Sequence, residues 1–363
     1  MKSRSRPQMQ RALSFGGAGA NLIATYTLLL VPVLLGASQQ ETLAFTIAVV
    51  SVQAGQAAVV QVGRPPMRDA RVSIVVGTLL LSLVVISYSQ LSTSSAELAY
   101  AAGIAIAGML FGMGVGALAN HRLENGRTAH YQMLIFTRTT IWGAVVLLFG
   151  WAWGWAPMNS TILAWGVVLL SVIWDPGATR VLTRPGAAVW IGAIAGLVYR
   201  NDVSVVRALA LGALFDFWNV ALIVYGLSQA FLGFIAVNEI YSRRARIQLW
   251  LTRSREITIA TVSLVSLPAL FAASLFLESL DSTPARVLQV IALVIAGSIV
   301  AVQATLAHIG ERSWVVYLAG SCGFGALAVA AWGYWPPGVA MMLELLVSGI
   351  LVGISFVLIR KAG

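Results

Sequence analysis

The 363-residue chain has one cysteine, three histidines and only 10% charged residues, and each shortage removes a class of chemistry. A single thiol, Cys322, permits neither an intrachain disulfide nor a thiolate metal cluster. His121 and His130 flank a loop containing Glu124 at a spacing that fits no helical metal pair, and His308 stands alone. All three are expected to be solvated loop or helix-end residues. There is no Gly-x-x-x-x-Gly-Lys-Ser/Thr loop for a nucleotide triphosphate and no Asp-x-Asp loop of a membrane glycosyltransferase. Glu278 and Asp281 share one loop, but nothing basic or aromatic converges on them in the sequence. No catalytic residues, metal or cofactor are therefore expected, nor any nucleic-acid partner.

The scarcity of charge stands against 59% hydrophobic residues and a mean hydropathy of +0.86. That is too little polar surface for soluble globular domains. A helix crossing the roughly 30 Å hydrocarbon core needs about 20 residues, so the length allows about a dozen spans and no large extramembrane domain. Apolar runs of spanning length occur at about 12–36, 43–62, 72–91, 97–119, 133–156, 160–174, 187–211, 218–240, 257–277, 287–308, 314–334 and 338–359. Short polar or Gly/Pro turns close them. Only Phe215-Asp216-Phe217-Trp218 breaks the stretch from Ala187 to Ile240, and the seventh and eighth spans are expected to divide there. The basic N-terminus and the small residues Gly36-Ala37-Ser38 resemble a secretory signal, but the run from Ala12 to Gly36 is longer than a signal core and holds Asn21. A retained first span is expected.

Arginine tests the count independently, because cytoplasmic loops collect basic residues. Nineteen of the 23 basic residues fall in the N-terminal tail, the C-terminal tail and alternate loops, and only Lys2 and Lys361 are lysines. The opposite loops hold only Arg286, with Glu41, Glu97, Asp216, Glu278 and Asp281. A miscounted span would scramble this alternation. The expected fold is an all-α polytopic membrane protein of 12 helices with both termini cytoplasmic. Trp151, Trp153 and Trp155, and likewise Trp332, Tyr334 and Trp335, fall at the outer ends of their spans as interfacial anchors.

Gly108, Gly112 and Gly116 recur every fourth residue in the fourth span, a face on which another helix packs closely. Leu35-Gly36-Ala37 and Leu211-Gly212-Ala213 lie 176 positions apart, close to half the chain, each before a span running inward. With the count of twelve, this favours two six-helix lobes, residues 1–180 and 181–363, related by an axis along the membrane normal.

Charge inside a bilayer persists where it faces a wet cavity or a partner. Arg138 lies about a turn and a half inside the fifth span and either snorkels to the headgroups or lines a cavity. Glu344, about two turns into the last span, is protonated, paired or cavity-lining. Arg200 and Arg207, seven apart, share a face on a continuous helix and would present a guanidinium wall suited to phosphate or carboxylate. The alternative is an outer helix end, with Arg200 and Asp202 paired and Arg207 among the headgroups. Asn21, Gln53 and Gln56 add uncharged polar groups to the first two spans, with Gln53 and Gln56 on one face. Pro32 is placed to kink the first span.

The segment Leu34-Leu35-Gly36-Ala37-Ser38-Gln39-Gln40-Glu41-Thr42-Leu43-Ala44-Phe45-Thr46-Ile47-Ala48 resembles the short outer loop and second helix of the polysaccharide-export branch of the MATE-like flippases. Tyr199-Arg200-Asn201-Asp202-Val203 through Leu211-Gly212-Ala213-Leu214-Phe215-Asp216-Phe217 resembles that family's Asp-containing seventh helix and Leu-Gly turn. The Tyr-Gly that usually follows the acidic residue of the first loop is absent, and the chain is shorter than typical members. The resemblance implies a bacterial inner-membrane transporter that flips an undecaprenyl-diphosphate-linked saccharide. Arg138, Arg200, Arg207, Asn21, Gln53 and Gln56 would meet an anionic substrate, and Asp202 and Glu344 would serve as coupling or cavity carboxylates. Its partners would be membrane lipid, the lipid-linked anionic saccharide and enzymes of cell-wall or polysaccharide synthesis. A cation-coupled exporter of small amphipathic compounds and a transport-inactive scaffold are the alternatives. Reporter fusions at Gly363 and within Ser92 to Ser95 are expected on opposite sides of the membrane; the same side for both overturns the count of twelve.

Overall fold

A computed structural model describes residues 20, 23–61, 95–124, 128–173, 202–210, 212, 214–229, 231–232, 253–309 and 313–358. Among them there is no strand. The chain forms two compact units, and the described helices before residue 200 belong to the first and those after 201 to the second. The third expected span, most of the seventh and the expected lobe boundary at 180 lie outside the described residues.

In the first unit, residues 23–28 are helical, and the helix breaks at Leu29–Leu30 before resuming as Val31–Leu34. Pro32 explains the break. It cannot donate to the carbonyl one turn back and its ring crowds that turn, so Leu29 and Leu30 bond instead to Tyr26 and Thr27, three residues away. Gly36 then takes the left-handed conformation, φ 66°. Ser38 and Glu41 cap the next helix reciprocally: Glu41 Oε2 accepts from Ser38 N (3.1 Å) and Ser38 Oγ accepts from Glu41 N (3.3 Å). That helix is α1, Gln39–Gln61. Following it are α2, Ser95–Glu124; α3, Thr128–Trp153; and α4, Pro157–Ile173.

The expected glycine face holds α1 and α2 together. A Cβ added at Gly112 would fall 2.1 Å from the Val52 carbonyl oxygen, and one at Gly116 2.9 Å from that of Gln56. Gly55 reciprocates from α1, where a Cβ would fall 2.2 Å from the Met109 carbonyl. Phe45, Phe111, Trp142 and Trp165, one from each helix, fill the middle, and Trp142 Nε1 donates to Thr161 Oγ1 (3.0 Å).

In the second unit, α5 is Asp202–Leu209 and α6 spans residues 214–229. Ala210 and Gly212 lie between them, at the expected end of the seventh span, and Phe215-Asp216-Phe217-Trp218 falls within α6. Gly212, φ 59°, supplies the left-handed residue that ends the turn, and Asp216 is exposed in the first turn of α6. Next come α7, Arg253–Glu278; α8, Thr283–Ile309; α9, Ser313–Trp332; and α10, Pro337–Leu358. α10 is central, packed against α5, α7, α8 and α9. Among the described residues, four helices are long and apolar enough to cross a membrane: Met133–Trp153, Ile257–Glu278, Thr283–Ala307 and Pro337–Leu358.

Replacing Gly112 by leucine is expected to separate α1 from α2 and to cost about 1 to 3 kcal/mol or more as overpacking. Gly166→Ala is the control, since a Cβ there meets nothing within 4 Å. Thermal unfolding of the two purified variants checks the contrast.

Candidate functional site: buried charge in two helical units

Each unit buries an arginine. In the first, Arg138 of α3 is 5% exposed. Its Nη1 donates to Gln56 Oε1 of α1 (2.6 Å) and its Nη2 to Thr139 Oγ1 (3.2 Å). The snorkelling alternative fails, because the side chain points across the helix interface rather than along the surface. Close approach at Gly116 brings α2 against the backbone of the same Gln56. Gln53, one turn before Gln56, is half-buried. Asn21 lies outside the described residues.

In the second unit, Arg207 is 1% exposed, and Ser204, Val205 and Val206 of the same helix are buried with it. At that position the guanidinium is enclosed by protein. Asp202 begins the same helix, with Oδ1 accepting from Val203 N (2.7 Å). α5 packs on α9 and α10, and α10 carries Glu344, 8% exposed. Asp202 and Glu344 are near enough for their carboxylates to interact electrostatically. Glu344 Oε2 has no hydrogen-bond partner among the described residues. Arg200 lies outside them, so the expected two-arginine wall is described only at Arg207.

The sequence places Glu344 in the last span, and a glycine sets its surroundings. At Gly323 of α9 an added Cβ would fall 1.9 Å from Ser348 Oγ and 2.8 Å from the Glu344 carbonyl oxygen. Only glycine lets α9 lie so close, and Ser348 Oγ then donates to the Ala319 carbonyl (3.3 Å). Cys322, the residue before Gly323, is exposed.

Sequence reasoning passed over three buried amides. Asn219 of α6 is fully buried with neither amide atom bonded among the described residues. Gln289 and Gln303 of α8 are also buried. The available signal was a lone polar residue in an otherwise apolar span, weaker than charge but of the same kind. At the other extreme, Asp281 and Arg286 form an exposed ion pair (2.5 Å) at the start of α8, which gives Asp281 a local structural task. Trp151, Trp153, Trp332 and Tyr334 are exposed, as interfacial anchors should be. Among the described residues, no group of three or more His, Cys, Asp or Glu is arranged to hold a metal.

No family model matches the chain, and no curated protein matches it. Among solved structures it is similar to a eukaryotic MATE transporter, AtDTX14, at 13% identity and a TM-score of 0.46, over 99% of this chain and 96% of that one. So loose a likeness decides neither family nor function. The buried groups must carry the functional argument.

Removing either side of the Arg138–Gln56 contact leaves the other partner buried without it. A double-mutant cycle of Arg138→Leu and Gln56→Leu is expected to give a coupling of about 1.5 to 3 kcal/mol, the range for a charged hydrogen bond. A coupling near zero in thermal unfolding shows the contact to be incidental.

Proposed function

We propose that this protein is a multi-pass membrane transporter for a lipid-linked anionic saccharide, of the undecaprenyl-diphosphate class, working in cell-surface polysaccharide export at the bacterial inner membrane. The observation that carries this reading is Arg207. A guanidinium 1% exposed inside a bundle of apolar helices is costly in a bilayer, so it points to function rather than to anchoring. Its planar fork suits the paired oxygens of a diphosphate. Arg200, two turns earlier in the sequence, would extend the same anionic contact, and Arg138, Gln53, Gln56 and Asn21 would present polar groups from the first unit. Transport of this kind needs no covalent chemistry from the protein.

Asp202 and Glu344 favour a second reading, a cation-coupled exporter of small amphipathic compounds. Two carboxylates brought together inside a membrane domain can take up and release a cation as the transporter cycles. The two readings make different demands on the same residues. The flippase needs Arg207 for substrate and tolerates a neutral residue at 344, whereas the exporter loses its dependence on an ion gradient when Glu344 is neutral.

Arg207→Ala is expected to weaken binding of the lipid-linked anion by roughly 10- to 150-fold, the loss of one charge-assisted contact, and Arg207→Lys to restore only part of it. Substrate binding to purified protein, with complementation of a strain lacking the gene, checks both. Full complementation by a normally expressed Arg207→Ala overturns the flippase. Gradient-driven uptake abolished by Glu344→Gln with anion binding absent establishes the exporter instead.

A further inference from the structure

Among the described residues, Gly36, Gly154, Gly212, Asp281 and Tyr334 take the left-handed backbone conformation. Glycine adopts it freely and aspartate tolerates it. Tyr334 does not fit this pattern. At φ 54° it ends α9 in a complete Schellman motif: Trp335 N donates to the Ala330 carbonyl (2.9 Å) and Tyr334 N to that of Ala331 (3.0 Å). Glycine is the usual residue at this position, because a Cβ in the left-handed conformation crowds the following carbonyl.

The first unit shows the ordinary solution. α3 gives way to Gly154, φ 65°, whose N–H donates to the Gly150 carbonyl (3.0 Å). Trp155 follows and Pro157 begins α4, just as Trp335 follows Tyr334 and Pro337 begins α10. One turn is built with glycine and the other with tyrosine. Packing does not offset the strain, since Tyr334 is 84% exposed. Anchoring does not require it either, because the exposed Trp332 and Trp335 would hold this end at an interface with glycine at 334. Backbone strain of this kind persists at sites that hold a ligand.

The surroundings narrow the ligand. From Trp332 to Pro337 no side chain is charged, so nothing in the turn selects a phosphate or a cation. Trp335 lies against Gly333, where an added Cβ would fall 3.0 Å from its indole Cδ1 and Nε1. Aromatic faces that carry a phenol O–H and indole N–H suit a sugar ring, which has an apolar C–H face and a rim of hydroxyls. An acyl chain would use the faces and leave the polar atoms idle. We propose that Trp332, Tyr334 and Trp335 form a saccharide-binding site at the turn between α9 and α10, with Tyr334 as its principal contact. This site rests on the transport reading and extends it: Arg207, on a helix packed against α9 and α10, would meet the diphosphate, and the aromatic turn would meet the sugar.

The test measures binding of two probes to the purified full-length protein in nanodiscs, undecaprenyl diphosphate and the same lipid carrying N-acetylglucosamine. The unaltered protein is expected to bind the sugar-bearing lipid several-fold more tightly. Tyr334→Gly should remove most of that margin, leave binding of the bare lipid unchanged and unfold at about the same temperature, since relief of strain offsets the freedom glycine adds to the unfolded chain. Tyr334→Asn, which also tolerates the left-handed conformation, should behave alike. An undiminished margin in both variants overturns the site, and so does an equal loss for both probes, which makes Tyr334 an anchor. If the unaltered protein holds the bare lipid with no margin for the sugar, the site alone falls. If it binds neither lipid, the transport reading falls with it.

Discussion

Helices in hydrocarbon gain nothing by burying leucine against leucine, because lipid tails are equally apolar. What holds them is close approach and the few polar contacts they enclose, and both units are organised by this constraint. Gly55, Gly112 and Gly116 bring α1 and α2 backbone to backbone, and Arg138 of α3 reaches the half-buried Gln56 of α1. Gly323 does the same for α9 and α10, and it fixes Ser348 and Glu344 against that interface. In each unit the glycine contact comes with a buried charged or polar group, so loss of a glycine should disturb the polar site as well as the packing.

The two units share a local plan. Gly36 and Gly212, 176 positions apart, both take the left-handed conformation, and each leads into a helix, α1 or α6. α1 is met by the glycines of α2. α6 is met by Gly297 of α8, where an added Cβ would fall 2.6 Å from both Gln229 and Tyr225. A left-handed glycine before a helix thus occurs in both units.

What the sequence made legible follows from the same physics. Helix positions were readable because apolar length and turn residues are local properties, and α7 to α10 lie within a few residues of the expected 257–277, 287–308, 314–334 and 338–359. The close helix packing at Gly108, Gly112 and Gly116 was readable for the same reason. α5 closes near the expected end of the seventh span, and Phe215-Asp216-Phe217-Trp218 is helical because the turn is made by Gly212, which adopts φ 59° at no cost. The fate of Arg138 was not readable, since snorkelling and burial differ only in whether a partner such as Gln56, 82 residues away, stands opposite. Gln303 and Asn219 were invisible for a related reason: a neutral amide in an apolar run signals burial but not whether anything bonds it.

The lone cysteine, which excluded disulfides and thiolate clusters, has a practical consequence through its position. Cys322 is exposed on α9, about 100° around the helix from Gly323 and its contact with α10. An exposed thiol is open to alkylating reagents, and comparing apolar with charged ones tells whether it meets lipid or water. The native chain therefore carries one addressable position, and a nitroxide or fluorophore placed there would report the depth of α9 in the bilayer without any engineered cysteine.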